Sequence, residues 1–132
     1  MPSFGEKSRD NLSQCDYRLQ TLFNTVVEYF DCSVMCGHRS EEDQNEAFRT
    51  GNSQVKWPDS DHNEDPSLAV DVVPYPIDWE NLKRFYYFGG FVKGIAKQLQ
   101  LEITWGGDWD DDTILNDQSF MDLPHFKIKA RE

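Results

Sequence analysis

Ser60-Asp61-His62, the run Leu68-Ala69-Val70-Asp71, and Met121-Asp122-Leu123-Pro124-His125-Phe126 are the segments whose reading decides this chain. Together they offer His62, Asp71 and His125 as candidate metal ligands, with Asp122 beside the last. Two imidazoles and one carboxylate are a normal ligand set for a catalytic zinc, which keeps a further position open for water. Asp71 lies inside the apolar run Ala69 to Val73, which reads as a short strand ended by Pro74 and Pro76. A carboxylate in mid-strand between valines needs a partner, because burying it unpaired is costly. The partner is either a metal or a neighbouring Lys or Arg.

Working outward, Thr50 to Pro66 is a long polar loop rich in Gly, Asn, Ser, Asp and Pro, of the kind that carries function or stays disordered. It holds Ser60 and His62. Before it, Gly37-His38-Arg39-Ser40 ends a short strand, Cys32 to Gly37, and opens a helix, with Ser40 and Asp43 in the positions of a capping box. Arg39 therefore stands at a strand-to-helix junction, where it could hold a carboxylate or pair with Glu42 or Asp43. Asn11 to Phe30 reads as one core-packing helix, with Leu12, Leu19, Leu22, Phe23, Val26, Val27 and Phe30 on its apolar stripe and Ser8 or Asp10 as its cap.

Downstream, Ile77 to Leu99 reads as a second long helix capped by Asp78. Its Gly89-Gly90 pair would bend it or admit a close neighbour. Leu101 to Trp105 and His125 to Lys129 read as strands. Alternation puts His125 and Lys127 on one face of the last strand, and Phe126 and Ile128 on the other. Between these strands, Asp108, Asp110 and Asp112 alternate and are followed by Asn116 and Asp117. They resemble the opening of a calcium loop, although Thr113 stands where such loops usually place a glycine. The alternative is a solvated acidic loop. This order of elements implies an α+β fold with a small antiparallel sheet packed against helices, in a single domain spanning 1–132.

Composition narrows the function. A content of 38% hydrophobic and 14% aromatic residues is that of a folded chain, not a disordered one. A net charge of -11 repels nucleic acid and anionic membranes, so neither is expected as a partner. It also sits awkwardly with an anionic cell-wall polymer unless cations intervene. Cys15, Cys32 and Cys36 form no Cys-x-x-Cys pair and read as reduced thiols; a zinc site of Cys32, Cys36 and His38 would lack a fourth ligand. The polar start, Met1 to Asp10, is not a signal peptide, and no apolar run is long enough to span a membrane. A soluble product of the cytoplasm is expected.

These segments resemble the zinc peptidase superfamily of D-Ala-D-Ala carboxypeptidases and L-alanyl-D-glutamate endopeptidases, and most closely its small bacteriophage endolysins. The family pattern is Ser-x-His, then Gly-x-Ala-x-Asp, then an acidic residue three places before a His. Ser60, His62, Ala69, Asp71, Asp122 and His125 match it. Gly37-His38-Arg39-Ser40 with Gln44, Trp105-Gly106-Gly107-Asp108-Trp109 and Pro124-His125-Phe126 are also similar, so the likeness spans about residues 33–128. Two departures are a longer spacer between His62 and Asp71, read as an insertion over Asn63 to Pro66, and Ser67 in place of the family's Gly.

The resemblance implies the Hedgehog/DD-peptidase type of fold and one zinc held by His62, Asp71 and His125. Asp122 would be the general base and acid, Arg39 would stabilise the oxyanion or bind a carboxylate, and Ser60 and Gln44 would contact substrate. It implies a monomer that cuts the peptide stem of peptidoglycan, most simply between L-Ala and D-Glu. Such an endolysin is made in the host cytoplasm and reaches the periplasmic wall after a holin opens the inner membrane. A D-Ala-D-Ala carboxypeptidase and a non-catalytic wall-binding module are the competing readings.

Overall fold

The structure, a computed structural model, describes residues 1–116 and 121–130. Its elements run α1 (Glu6–Ser13), α2 (Tyr17–Tyr29), β1 (Cys32–Cys36), α3 (Glu41–Arg49), a 3₁₀ turn (Asp61–Asn63), β2 (Ala69–Pro74), α4 (Leu82–Gln98), β3 (Ile103–Trp105) and β4 (His125–Ile128). The strands form an antiparallel sheet in the order β1-β2-β4-β3. The expected α+β class with a small antiparallel sheet is what the chain adopts.

β2 is central because its side chains have somewhere to go on both faces. Val70 and Val72 are buried against the helices. Asp71 points the other way, and its strand pairs it in register with His125 of β4. Phe126 joins sheet to helices: its ring meets Phe23 of α2 edge-on at 5.3 Å, Phe88 of α4 at 6.1 Å, and stacks with Trp105 of β3 at 6.5 Å. Burying a side chain of this size contributes roughly 1.5–3 kcal/mol.

The expected helix from Asn11 to Phe30 is two helices. Gln14 to Asp16 leave the helical path to pair with Ser67: the Ser67 amide donates to the Gln14 carbonyl at 2.9 Å, and the Asp16 amide to the Ser67 carbonyl at 2.8 Å. Asp16 then starts α2, its carboxylate accepting from the Arg18 amide. The N-terminal helix begins at Gly5 without a side-chain cap, so neither Ser8 nor Asp10 has that role. The second long helix also starts later than Ile77. Asp78 accepts from the Glu80 amide in a local turn, and Asn81 caps α4 by accepting from the Arg84 amide. Short polar side chains favour such turns over helix interiors.

Gly89 accounts for the close approach expected of the glycine pair. A Cβ there would lie 2.1 Å from the Trp105 indole, so only glycine lets β3 press its Trp onto α4. That indole donates its Nε1 proton to the Leu123 carbonyl at 2.8 Å. The core thus reaches directly into the segment that carries Asp122 and His125. Among the described residues no helix is long and apolar enough to cross a membrane.

Candidate active site

His62 sits on the 3₁₀ turn, which Ser60 starts: the Ser60 hydroxyl accepts from the His62 amide at 3.1 Å, and Asn63 Oδ1 accepts from the Ser60 amide at 3.0 Å. The ring is 1% exposed. Its Nδ1 lies 2.7 Å from the Gly37 carbonyl. A carbonyl can only accept, so Nδ1 carries a proton; with no metal Nε2 donates to Asp71, and as a metal ligand Nε2 would give up its proton and present its lone pair. Such outer hydrogen bonds are how metal-binding histidines are fixed in one tautomer. Nε2 is 3.2 Å from Asp71 Oδ1, and His125 Nδ1 approaches the same oxygen at 3.4 Å.

One ligand atom from each of His62, Asp71 and His125 lies within 4.8 Å of the others, so the three could hold a metal ion. A tetrahedral ion with bonds of about 2.0–2.2 Å places its ligands about 3.3–3.6 Å apart. The two measured separations from Asp71 lie close to that spacing, and the donor set suits zinc. The longer spacer after His62 is absorbed by the 3₁₀ turn and the following loop, and Asp71 still reaches the centre of the sheet. Ser67, at the family's glycine, is fully buried and ties that loop down, its hydroxyl donating to the Ala69 carbonyl at 2.6 Å.

The other carboxylate oxygen of Asp71 accepts from Arg39 at 3.3 Å. Arg39 does not pair with Glu42 or Asp43. Its second partner is Gln44 Oε1 at 3.0 Å. Gln44 corrects an expectation: it is 0% exposed, with no surface to offer a substrate. Its amide nitrogen donates to Ser53 Oγ and the Val55 carbonyl, and its oxygen also accepts from Asn63. The side chain holds Arg39, the turn bearing His62 and the following loop in one arrangement. Nothing in the run of polar neighbours around Gln44 signals that it would be buried.

Asp122 stands at the edge of the centre, with Oδ2 4.0 Å from His125 Nδ1. Its backbone is clamped: the amide donates to the Gly106 carbonyl at 2.9 Å, and its carbonyl accepts from the His125 amide at 3.0 Å. The charges are arranged in opposition. Burial disfavours a charged Asp71, but hydrogen bonds from His125 and His62 outweigh it and hold the carboxyl below its ordinary range. Burial also opposes charge on His62, and the bonds to Asp71 and Cys36 outweigh it, raising the ring to about 10. Asp122 is raised, first by burial and then by the negative charge of Asp71. Two neighbouring carboxyls are therefore pushed apart, one toward permanent charge and one toward holding a proton, as in paired acid-base sites.

These residues line a cleft of about 1070 Å³. Arg39, Ser60 and Asp61 are on its wall, as are Trp79, Phe85, Trp109 and Lys127. The strand alternation that placed Lys127 beside His125 was the available signal for that residue. His38 is not in the group of His62, Asp71 and His125, and its ring lies against Trp57 at 6.5 Å. All three cysteines are free, and burial raises the Cys15 and Cys32 thiols to about 12. Asp108, Asp110 and Asp112 form a second group able to hold a cation. Asp117, expected to follow them, lies outside the described residues.

Comparison with known proteins places the chain in a family. The family model described as "Phage L-alanyl-D-glutamate peptidase" matches residues 2–129. The chain belongs to that family. A relative, the L-alanyl-D-glutamate peptidase of Escherichia phage T5, is 26% identical over 112 residues, 81% of each protein. The crystal structure of an L-Ala D-Glu endopeptidase from Serratia marcescens superposes with a TM-score of 0.75 at 27% identity, covering 97% of this chain and 91% of the other. As a member of the phage peptidase family the chain is a peptidase of peptidoglycan, as the motif resemblance implied.

Proposed function

We propose that this phage peptidase is a zinc enzyme that hydrolyses the L-alanyl-D-glutamate bond of the peptidoglycan stem, serving as an endolysin. The observation that carries the reading is the group His62, Asp71 and His125 on the wall of an open cleft, with Asp122 4.0 Å from His125. Zinc held by these three would polarise the scissile carbonyl and make water nucleophilic near neutral pH. Asp122, whose carboxyl is already biased toward holding a proton, takes the water's proton and passes it to the leaving amine of D-Glu. Arg39 lines the cleft while braced by Asp71 and Gln44, and donates to the developing oxyanion. The Ser60 hydroxyl accepts from the His62 amide and retains its own proton for a substrate carbonyl.

The enzyme is proposed to act as a monomer, made in the host cytoplasm and reaching periplasmic peptidoglycan through a holin-type lesion. Calcium at Asp108, Asp110 and Asp112 belongs to the same proposal. The deciding experiment is digestion of purified Gram-negative peptidoglycan with and without a zinc chelator, followed by mass spectrometry. New L-Ala carboxyl termini and D-Glu amino termini, abolished by chelator and restored by zinc, are expected. Release of D-Ala alone would replace the endopeptidase with a carboxypeptidase. No cleavage by folded, zinc-loaded protein would leave a wall-binding module.

A further inference from the structure

A D-glutamate that gives its nitrogen to the scissile amide carries two carboxyl groups, and chain extension uses only one. The substrate therefore brings a free carboxylate within a few bonds of the reacting nitrogen. The cleft that must receive it is lined by Asp59, Asp61, Asp71, Asp110 and Asp122. An unpaired anion would be repelled there. Among the described residues lining the cleft, the Lys and Arg side chains are Arg39 and Lys127. Arg39 is taken: its side chain is 15% exposed, Asp71 and Gln44 hold two of its nitrogens, and the reading above assigns what remains to the oxyanion.

Lys127 is placed differently. It lies two residues beyond His125 on the same face of β4, about 6.6 Å along the strand. Trp109 bridges the two side chains, with its ring 5.4 Å from the His125 ring and the Lys127 ammonium 5.9 Å from the indole centroid. The ammonium's ion pair is with Asp61 at 3.5 Å, and the two side chains are 38% and 41% exposed. A half-exposed, single-contact pair of this kind is weak. It can be exchanged for a substrate carboxylate without breaking the fold.

We propose that Lys127 is the specificity residue that binds the free carboxylate of the D-Glu whose nitrogen leaves, exchanging Asp61 for the substrate. The assignment rests on the endopeptidase reading above. Its test uses the zinc-loaded full chain and two synthetic stem peptides that differ only in that carboxylate, free in one and a carboxamide in the other. Losing a hydrogen bond to a charged group costs about tenfold or more in affinity. Wild type should therefore prefer the free acid by about tenfold or more, through KM. Lys127→Gln should lose that preference, and Lys127→Arg should keep most of it. Asp61→Asn, which frees the ammonium, should strengthen the preference and provides the answer if Lys127→Gln does not fold. A preference that survives in Lys127→Gln, or equal losses on both peptides carried by kcat, would overturn the assignment. Wild type that cleaves both peptides without preference sinks the Lys127 role alone. Wild type that cleaves neither sinks the endopeptidase reading and this role with it.

Discussion

His125 and Asp122 are three residues apart and differ in what their loss should do. His125 shares Asp71 with His62 at metal-ligand spacing. Asp122 sits outside that triangle, and its charge is opposed by burial and by Asp71. His125→Ala should lose zinc along with activity. Asp122→Asn should keep about one zinc per chain, read by elemental analysis, and lose about 10²–10⁴-fold in kcat. Equal zinc loss in both would make Asp122 a ligand. The same charge argument reaches stability. A carboxyl raised in the folded state holds its proton more tightly there than in the unfolded chain, so the folded state loses stability as pH rises through its titration. After chelation, Asp122→Asn should therefore melt at or above the wild-type temperature at pH 7. The difference should fade as pH falls well below 3.8, the ordinary Asp value, where Asp122 is protonated in both the folded and the unfolded chain. A clearly lower melting temperature for the variant would contradict this sign.

At the scale of elements, the site depends on how β3 hands over to the Asp122 segment. A Cβ on Gly106 would lie 1.9 Å from the Asp122 carbonyl oxygen, in backbone that cannot turn aside. Gly106→Ala should cost about 1–3 kcal/mol in denaturant unfolding. It should also lower kcat and weaken zinc retention, because the Gly106 amide donates to the His125 carbonyl at 2.8 Å and the Asp122 carbonyl it would displace accepts from the His125 amide. Wild-type kcat in a destabilised Gly106→Ala protein would show that Asp122 needs no such fixing. The acidic loop has its own test. Asp108 is buried, and its oxygens accept from the amides of Asp112 and Thr113, while Asp110 and Asp112 are exposed. Calcium held there would raise the melting temperature, and the double substitution Asp110→Ala/Asp112→Ala would abolish the rise. No shift in wild type would leave a solvated loop whose Asp108 serves only to fold it.

Much of this was legible because local pattern and tertiary role coincide. A carboxylate that interrupts Ala-Val-Asp-Val-Val marks Asp71 as needing a partner, and alternation in His-Phe-Lys-Ile separates the cleft face of β4 from Phe126. The break between α1 and α2 was hidden because both helices keep one apolar stripe. Its cause, pairing with Ser67, lies far along the chain. Gln44 was assigned to substrate because burial inside a polar run leaves no local sign.

At the scale of the whole molecule, a charge of -11 meets an anionic polymer. Long-range repulsion slows encounter, and salt relieves it once the screening length falls to about 10 Å near 0.1 M. Chemistry in the cleft acts over a few Å and is screened far less. Digestion of intact wall should therefore speed up as monovalent salt rises from about 10 mM to 0.1 M. Cleavage of a short stem peptide should change little over the same range, or slow slightly as salt competes at Lys127. Initial rates on both substrates, measured across one salt series, separate the two effects. A wall-digestion rate that falls with salt would mean that a local positive surface, and not the net charge, governs the approach. The arrangement expected is an enzyme whose field opposes its polymer and whose cleft, through Arg39 and Lys127, welcomes one segment of it.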